Sequence, residues 1–180
     1  ALMLLNPTGG VVGGDRLETR VRLGAGARVC LTTPSATRVY RSAGQPAVQR
    51  FAAAVGPGGC LEYVPDHLIP SPGARLRQST EIVLGAGASA LVWDAWSAGR
   101  PARGEAWAFA ELDLRLGVRD SRGPVFHEHA RLEGDAFWSR LGGAEGMGYT
   151  GLFLAVAEGR GDWEGVARGL QADVGCGPLG

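Results

Sequence analysis

A glycine corner that returns at a nearly constant interval limits the folds open to this chain more than any other feature. Val21-Arg-Leu-Gly-Ala-Gly-Ala-Arg-Val-Cys30 recurs as Ala53-Ala-Val-Gly-Pro-Gly-Gly-Cys-Leu-Glu62 and again as Ile82-Val-Leu-Gly-Ala-Gly-Ala-Ser-Ala-Leu91. The Gly-x-Gly turns open at positions 24, 56 and 85, spaced 32 and 29 residues apart. Each unit reads as a strand, a tight turn and a second strand, with glycine supplying the positive φ that such turns need. A strand-only period of about 30 residues is that of a stacked, β-helix-like solenoid, whose units bury their apolar faces against neighbouring units. The same turn chemistry also serves ordinary hairpins, and pattern alone leaves both arrangements open. Either way the chain is mainly β.

Alternation supports strands. Leu17, Thr19, Val21 and Leu23 share one face, opposite Glu18, Arg20 and Arg22. Leu76, Thr80, Ile82 and Leu84 are set likewise against Arg75, Arg77 and Glu81, and Ala106, Ala108, Ala110, Leu112, Leu114 and Leu116 form a third stripe. Period-two runs of this kind predict strands with one buried face. Helix signals are few: the best is 162–171, with Asp162 as N-cap and Trp163, Val166 and Leu170 on one side.

Several classes are excluded. All 18 basic residues are arginine, so neither a Gly-Lys-Ser/Thr phosphate loop nor a Schiff-base lysine is available in this sequence. Net charge is zero with acids and arginines interleaved, which gives no nucleic-acid stripe and no membrane-surface patch. The longest apolar runs fall short of the ~20 residues that span a bilayer. Cys30, Cys60 and Cys176 are odd in number and form no CxxC pair, which points to a reducing, cytoplasmic setting; Cys30 and Cys60, inside apolar runs, read as buried structural thiols. No Gly-x-Ser-x-Gly elbow and no HExxH motif occurs, and the 9–14 glycine run leads into a strand, unlike a dinucleotide fingerprint. The apolar start at Leu2 and the loop-like 175–180 end predict one domain over 1–180, cut from a longer chain at both ends.

Two groups of residues carry candidate chemistry. His127 and His129 lie two apart and therefore project together from a strand. If that strand pairs with the preceding one as a hairpin across 117–124, their apolar faces must coincide. The polar faces then bring Glu111, Asp113 and Arg115 opposite His127, His129 and Arg131, a two-His, two-carboxylate set of a kind that nickel or zinc accepts. The same face also reads as a solvated surface of cross-strand ion pairs. The second group is Asp15, Glu62, Asp66 and Asp94 with His67, among Tyr63, Trp93 and Trp96 at strand ends. Such acids can line a polar cavity for a divalent cation, or cap turns and pair with arginines.

Asn6-Pro-Thr-Gly-Gly-Val-Val-Gly-Gly-Asp-Arg-Leu17, followed by Thr32-Thr-Pro-Ser-Ala-Thr-Arg-Val-Tyr-Arg-Ser42, resembles the UreD (UreH) family of urease accessory proteins. Leu61–Pro65 and the 85–107 stretch, with Trp93-Asp94 and Gly99-Arg-Pro-Ala-Arg-Gly-Glu105, extend the resemblance in the family's order from about Leu4 to about Leu132. Two positions depart from the family pattern: Asp66-His67 replaces a Gln-Glu pair, and Trp93-Asp94 replaces Trp-Glu. The resemblance implies a β-helix-like, non-enzymatic scaffold for nickel insertion. Such a protein binds apo-urease, recruits the GTPase UreG together with UreF, and passes nickel through a polar tunnel without a tightly bound cofactor. On that reading Asp15, Glu62, Asp66, Asp94, Arg100 and Glu105 are tunnel or interface candidates. A β-helix carbohydrate-binding protein and a metal-dependent hydrolase using His127 and His129 are the alternatives.

Overall fold

The computed structural model describes residues 1–134, 138, 143–159 and 162–174. In chain order the strands are β1 (Leu2–Met3), β2 (Gly10–Val11), β3 (Arg16–Leu23), β4 (Arg28–Thr32), β5 (Thr37–Val39), β6 (Ala47–Val55), β7 (Cys60–Val64) and β8 (Leu68–Pro70). There follow β9 (Arg75–Leu84), β10 (Ser89–Ser97), β11 (Gly99–Arg100), β12 (Glu105–Ala106), β13 (Glu111–Asp120), β14 (Gly123–Leu132) and β15 (Tyr149–Ala157). A short 3₁₀ turn, Pro101–Arg103, joins β11 to β12, and one helix, α1 (Trp163–Val174), follows β15.

The strands stack in parallel, which decides between the two arrangements that the repeat allows. One sheet runs β14-β13-β9-β6-β3, and β3, β6, β9 and β13 are successively parallel. The other wraps the opposite side in the order β1-β4-β7-β10-β8-β5-β2, with β15 antiparallel on β10. Arg28 pairs with Cys60 and Cys60 with Ser89, so one turn of the solenoid equals one repeat of the sequence. Parallel pairing at this offset cannot come from hairpins. The Cys176 position lies outside the described residues.

The corners show why glycine recurs. Ala27, Gly59 and Ala88 each donate to the carbonyl three residues back, and Gly26, Gly58 and Gly87 sit at φ +68, +64 and +64, the left-handed conformation that position requires. Corners also bond to one another: Gly56 N donates to Leu23 O at 2.9 Å and Gly85 N to Val55 O at 2.8 Å. A Cβ on Gly56 would stand 2.8 Å from the Gly24 carbonyl carbon, and one on Gly85 2.9 Å from Pro57 N.

Inward-facing residues form two apolar clusters. Leu61 and Ile82 belong to one and Leu76 and Leu112 to the other, all fully buried; each such side chain contributes about 1.5–3 kcal/mol. The stripes starting at Leu17 and Leu76 face inward as predicted. The third does not continue as one strand. Trp107 adopts φ +59 and donates its amide to Ala98 O, packed among Trp96, Phe109 and Trp138. That reversal removes Ala106, Ala108 and Ala110 from the ladder, and only Leu112, Leu114 and Leu116 line β13. Cys30 and Cys60 are free and half-buried rather than core thiols, because Leu31 and Leu61 next to them take the inward positions. The helix forms where predicted, with Asp162 Oδ1 accepting from Gly165 N at 2.9 Å.

At the upper end, Glu158 ties β15 to a glycine corner. Its carboxylate accepts from Gly87 N at 2.7 Å and lies 3.9 Å from Arg122 in the β13–β14 turn. Glu158→Ala is expected to lower stability by about 1 kcal/mol, the worth of one charge-assisted bond at an exposed site. Thermal melts with amide exchange on β15 check this; unchanged protection along Tyr149–Ala157 would remove the role.

Candidate functional site

Between the two apolar clusters the solenoid interior turns polar. The inward ladder Leu17–Gln49–Gln78–Leu114 crosses the first sheet, and the next rung is Thr19–Phe51–Thr80–Leu116. Tyr63 and Asp94 face them from β7 and β10. Phe51 stacks on Tyr63 across the lumen, ring centroids 3.8 Å apart and nearly parallel. These residues enclose a cavity of about 180 Å³ that also takes in Asn6, Thr33, Thr37 and Asp66.

Asp94 is the electrostatic centre. Its inward position comes from β10 alternation, in which Ala90 and Val92 are buried on the same side. Burial raises its pKa to about 6; the hydrogen bond from Gln78 Nε2, at 3.3 Å, offsets part of this, and the Glu128 charge adds to it. The Tyr63 hydroxyl is held far above its ordinary value, first by burial and then by the Asp94 charge. Gln49 Oε1, in the same wall, is buried and has no hydrogen-bond partner among the described residues. Asp94 also borders a second cavity, of about 130 Å³, which reaches Glu128, Trp96 and Leu152.

The other acids of the second group divide. Asp66 lines the main cavity, accepts from His67 N and pairs with His67 Nδ1, both at 2.8 Å; His67 packs edge-on against Tyr149. Glu62 faces outward between Cys30 and Leu91 and is exposed. Asp15 closes a turn, its Oδ2 accepting from Val12 N at 2.9 Å. Arg100 and Glu105 pair across β11 and β12 at 2.6 Å, clasping a small flap.

The β13–β14 hairpin forms with the polar faces coincident as predicted, but its turn is shorter, at 121–122. Asp113 and His129 come together, Oδ1 to Nε2 at 2.9 Å, whereas His127 stands opposite Gly117. Glu111 is held by Arg75 at 3.2 Å and Arg131 at 3.1 Å, and Asp113 by Arg115 at 3.0 Å. Burial pushes the Asp113 carboxyl up, but the Arg115 and His129 hydrogen bonds outweigh it and leave it below the usual range. Among the described residues, no group of three or more His, Cys, Asp or Glu side chains is arranged to hold a metal ion.

Glu128 was not among the residues singled out from sequence. Its signal was parity: it shares the Phe126–Ala130–Leu132 side of β14, where it stands exposed at the rim of the smaller cavity. Gln78 interrupts the stripe from Leu76 to Leu84. A polar residue on an inward parity is the mark of a lined cavity.

A family model described as UreD urease accessory protein matches residues 1–176. Urease accessory protein UreD of Cupriavidus metallidurans is 35% identical over 158 residues, covering 87% of this chain and 54% of the relative. That of Opitutus terrae is 36% identical over 183 residues, covering 96% and 65%. That of Methylibium petroleiphilum is 40% identical over 123 residues, covering 68% and 42%. The matched part of the chain thus spans 42% to 65% of the length of these curated relatives.

Proposed function

This chain belongs to the UreD family of urease accessory proteins, and on that footing we propose that it is a non-enzymatic scaffold that conducts nickel toward apo-urease through the solenoid interior. The observation that carries the reading is the Asp94 carboxylate, desolvated between two cavities that reach Asp66 on one side and Glu128 on the other. A buried carboxylate with a raised pKa gains most from a cation beside it. Oxygen donors such as Asp94, Asp66 and the buried Gln49 Oε1 hold nickel more weakly than thiolate or multi-histidine sites, so a bound ion can move on. The outer set of Glu111, Asp113, His127 and His129 is assigned no transfer role in this reading, because arginines already engage both acids.

The scaffold acts in the cytoplasm with UreF- and UreG-like partners, nucleotide hydrolysis being left to the latter. Among the described residues, no helix is long and apolar enough to cross a membrane. The test is urease activation in cells whose native copy is replaced by the full-length protein carrying Asp94→Leu. Nickel per urease active site is expected to fall at least about tenfold, the loss of one ~1.4 kcal/mol stabilising contact along the path, while co-purification with the accessory partners persists. Full nickel loading with this variant would exclude the interior route.

A further inference from the structure

The outer face of the β3–β6–β9–β13–β14 sheet takes no part in the cavity, and its charge is one-sided. Alternation turns three arginines of β3, one of β6, two each of β9 and β13 and one of β14 outward, against four acids. These nine are half of the chain's 18 basic residues, yet the whole chain is neutral. The face therefore carries a formal excess of five positive charges, balanced elsewhere on the molecule.

Three of its four acids are already engaged: Glu18 by Arg20, Glu111 by Arg75 and Arg131, and Asp113 by Arg115 and His129. Arg16, Arg50 and Arg77 form no ion pair among the described residues. The register fixes them close together, with Arg16 and Arg77 flanking Val48 in one row and Arg50 in the next. Together with Arg115, Arg131 and Asp113 they line an open groove of about 520 Å³. The sheet register holds the backbones of Arg16, Arg50 and Arg77 close together, so their charges add to one positive field that an acidic partner group complements.

We propose that this groove docks an acidic segment of a partner protein, with Arg16, Arg50 and Arg77 as the carboxylate-binding positions. The arginine fork matches a carboxylate with two parallel hydrogen bonds. Two features favour protein over nucleic acid. The outward positions of these strands hold no Phe, Tyr or Trp on which bases could stack. Glu18, Glu81, Glu111 and Asp113 interrupt the positive field, which suits a mixed protein surface and repels a uniform phosphate backbone. The surface is argued independently of ion transfer, and its test runs without nickel, so a failure here and a failure of the interior route are separate results.

The test is anisotropy of a fluorescein-labelled oligoglutamate peptide titrated with the full-length protein at low and physiological salt. Arg16→Gln/Arg50→Gln/Arg77→Gln is expected to weaken binding at least about tenfold and to flatten its salt dependence. Arg28→Gln/Arg38→Gln/Arg103→Gln removes the same charge from exposed positions elsewhere and is expected to change binding less than about twofold. Thermal melts establish that both variants fold; should the first not, charge-preserving Arg→Lys changes at the same three positions are read instead, and are expected to weaken binding through loss of the fork. Equal weakening by both triple variants, unaltered binding by the first, or stronger displacement of the peptide by a single-stranded oligonucleotide of equal charge would overturn the assignment.

Discussion

Gly56→Ala is expected to destabilise the protein by about 2–3 kcal/mol, as overpacking against immovable atoms does. The added methyl would meet Gly24 C at 2.8 Å, Leu23 O at 2.8 Å and Ala25 N at 2.9 Å, all main-chain atoms of the coil beneath. No rotamer change can clear them; the coils must separate, and the Gly56 N to Leu23 O bond lengthens as they do. Gly85→Ala repeats the problem one coil higher, against Pro57 N and Val55 O. Gly87→Ala is the control: nothing lies within 4 Å of its Cβ, and only the left-handed φ of +64° resists substitution, at about 1 kcal/mol. The two corner substitutions share the turn at Gly56, so their combined effect should fall short of the sum. Urea unfolding of the full-length variants gives all three values; a Gly56→Ala protein no less stable than Gly87→Ala would show that the corners are not held by close packing.

The second large effect is a pH-dependent gain in stability on Asp94→Asn. Because the folded-state pKa is raised to about 6, the ionised carboxylate is disfavoured in the folded protein. The penalty is absent below the ordinary carboxylate range, grows as pH rises from about 4 to about 6, and is complete above that. A shift of about two pH units corresponds to ~3 kcal/mol at most, and partial solvent contact reduces this to ~1–2 kcal/mol. The Asn variant is therefore expected to be more stable than the parent by that amount near pH 7.5 and equal to it near pH 4. Chemical denaturation at both values reads the difference directly. A gap of the same size at both pH values would show that the substitution acts through packing rather than charge.

The solenoid was legible because its turn chemistry and its strand parity agree: Gly24, Gly56 and Gly85 mark the corners, and Leu17 to Leu23 and Leu76 to Leu84 mark the inner walls. A turn of this type says nothing about the strand beyond it, so the repeat alone left hairpins open beside stacked strands. The parallel pairing of Arg28 with Cys60 and of Cys60 with Ser89 bears out the stacked, β-helix-like reading. The alanine stripe before Leu112 misled because period two continues through Trp107, whose left-handed backbone is imposed by tertiary packing with Trp96 and Trp138. Among the acids, Asp94 and Asp66 were found together with Tyr63, whereas Asp15 and Glu62 drew notice for the same reason and turned out to face a turn and the outside. Residue type alone could not separate them; inward or outward parity could, and it also pointed to Glu128.

The flap from Gly99 to Ala106 has a practical consequence. Arg75 and Glu111 pair at an offset of 36 residues, longer than the lower coils, yet the β9–β13 register runs on without a break. The extra length is looped out beside the stack and clasped at its base by Arg100 and Glu105. A peptide tag or small fluorescent module spliced between Ala102 and Arg103 would extend an excursion that already exists, adding only the slow logarithmic entropy of a longer loop. That point offers a handle for following the protein in living cells without disturbing the wall of the molecule.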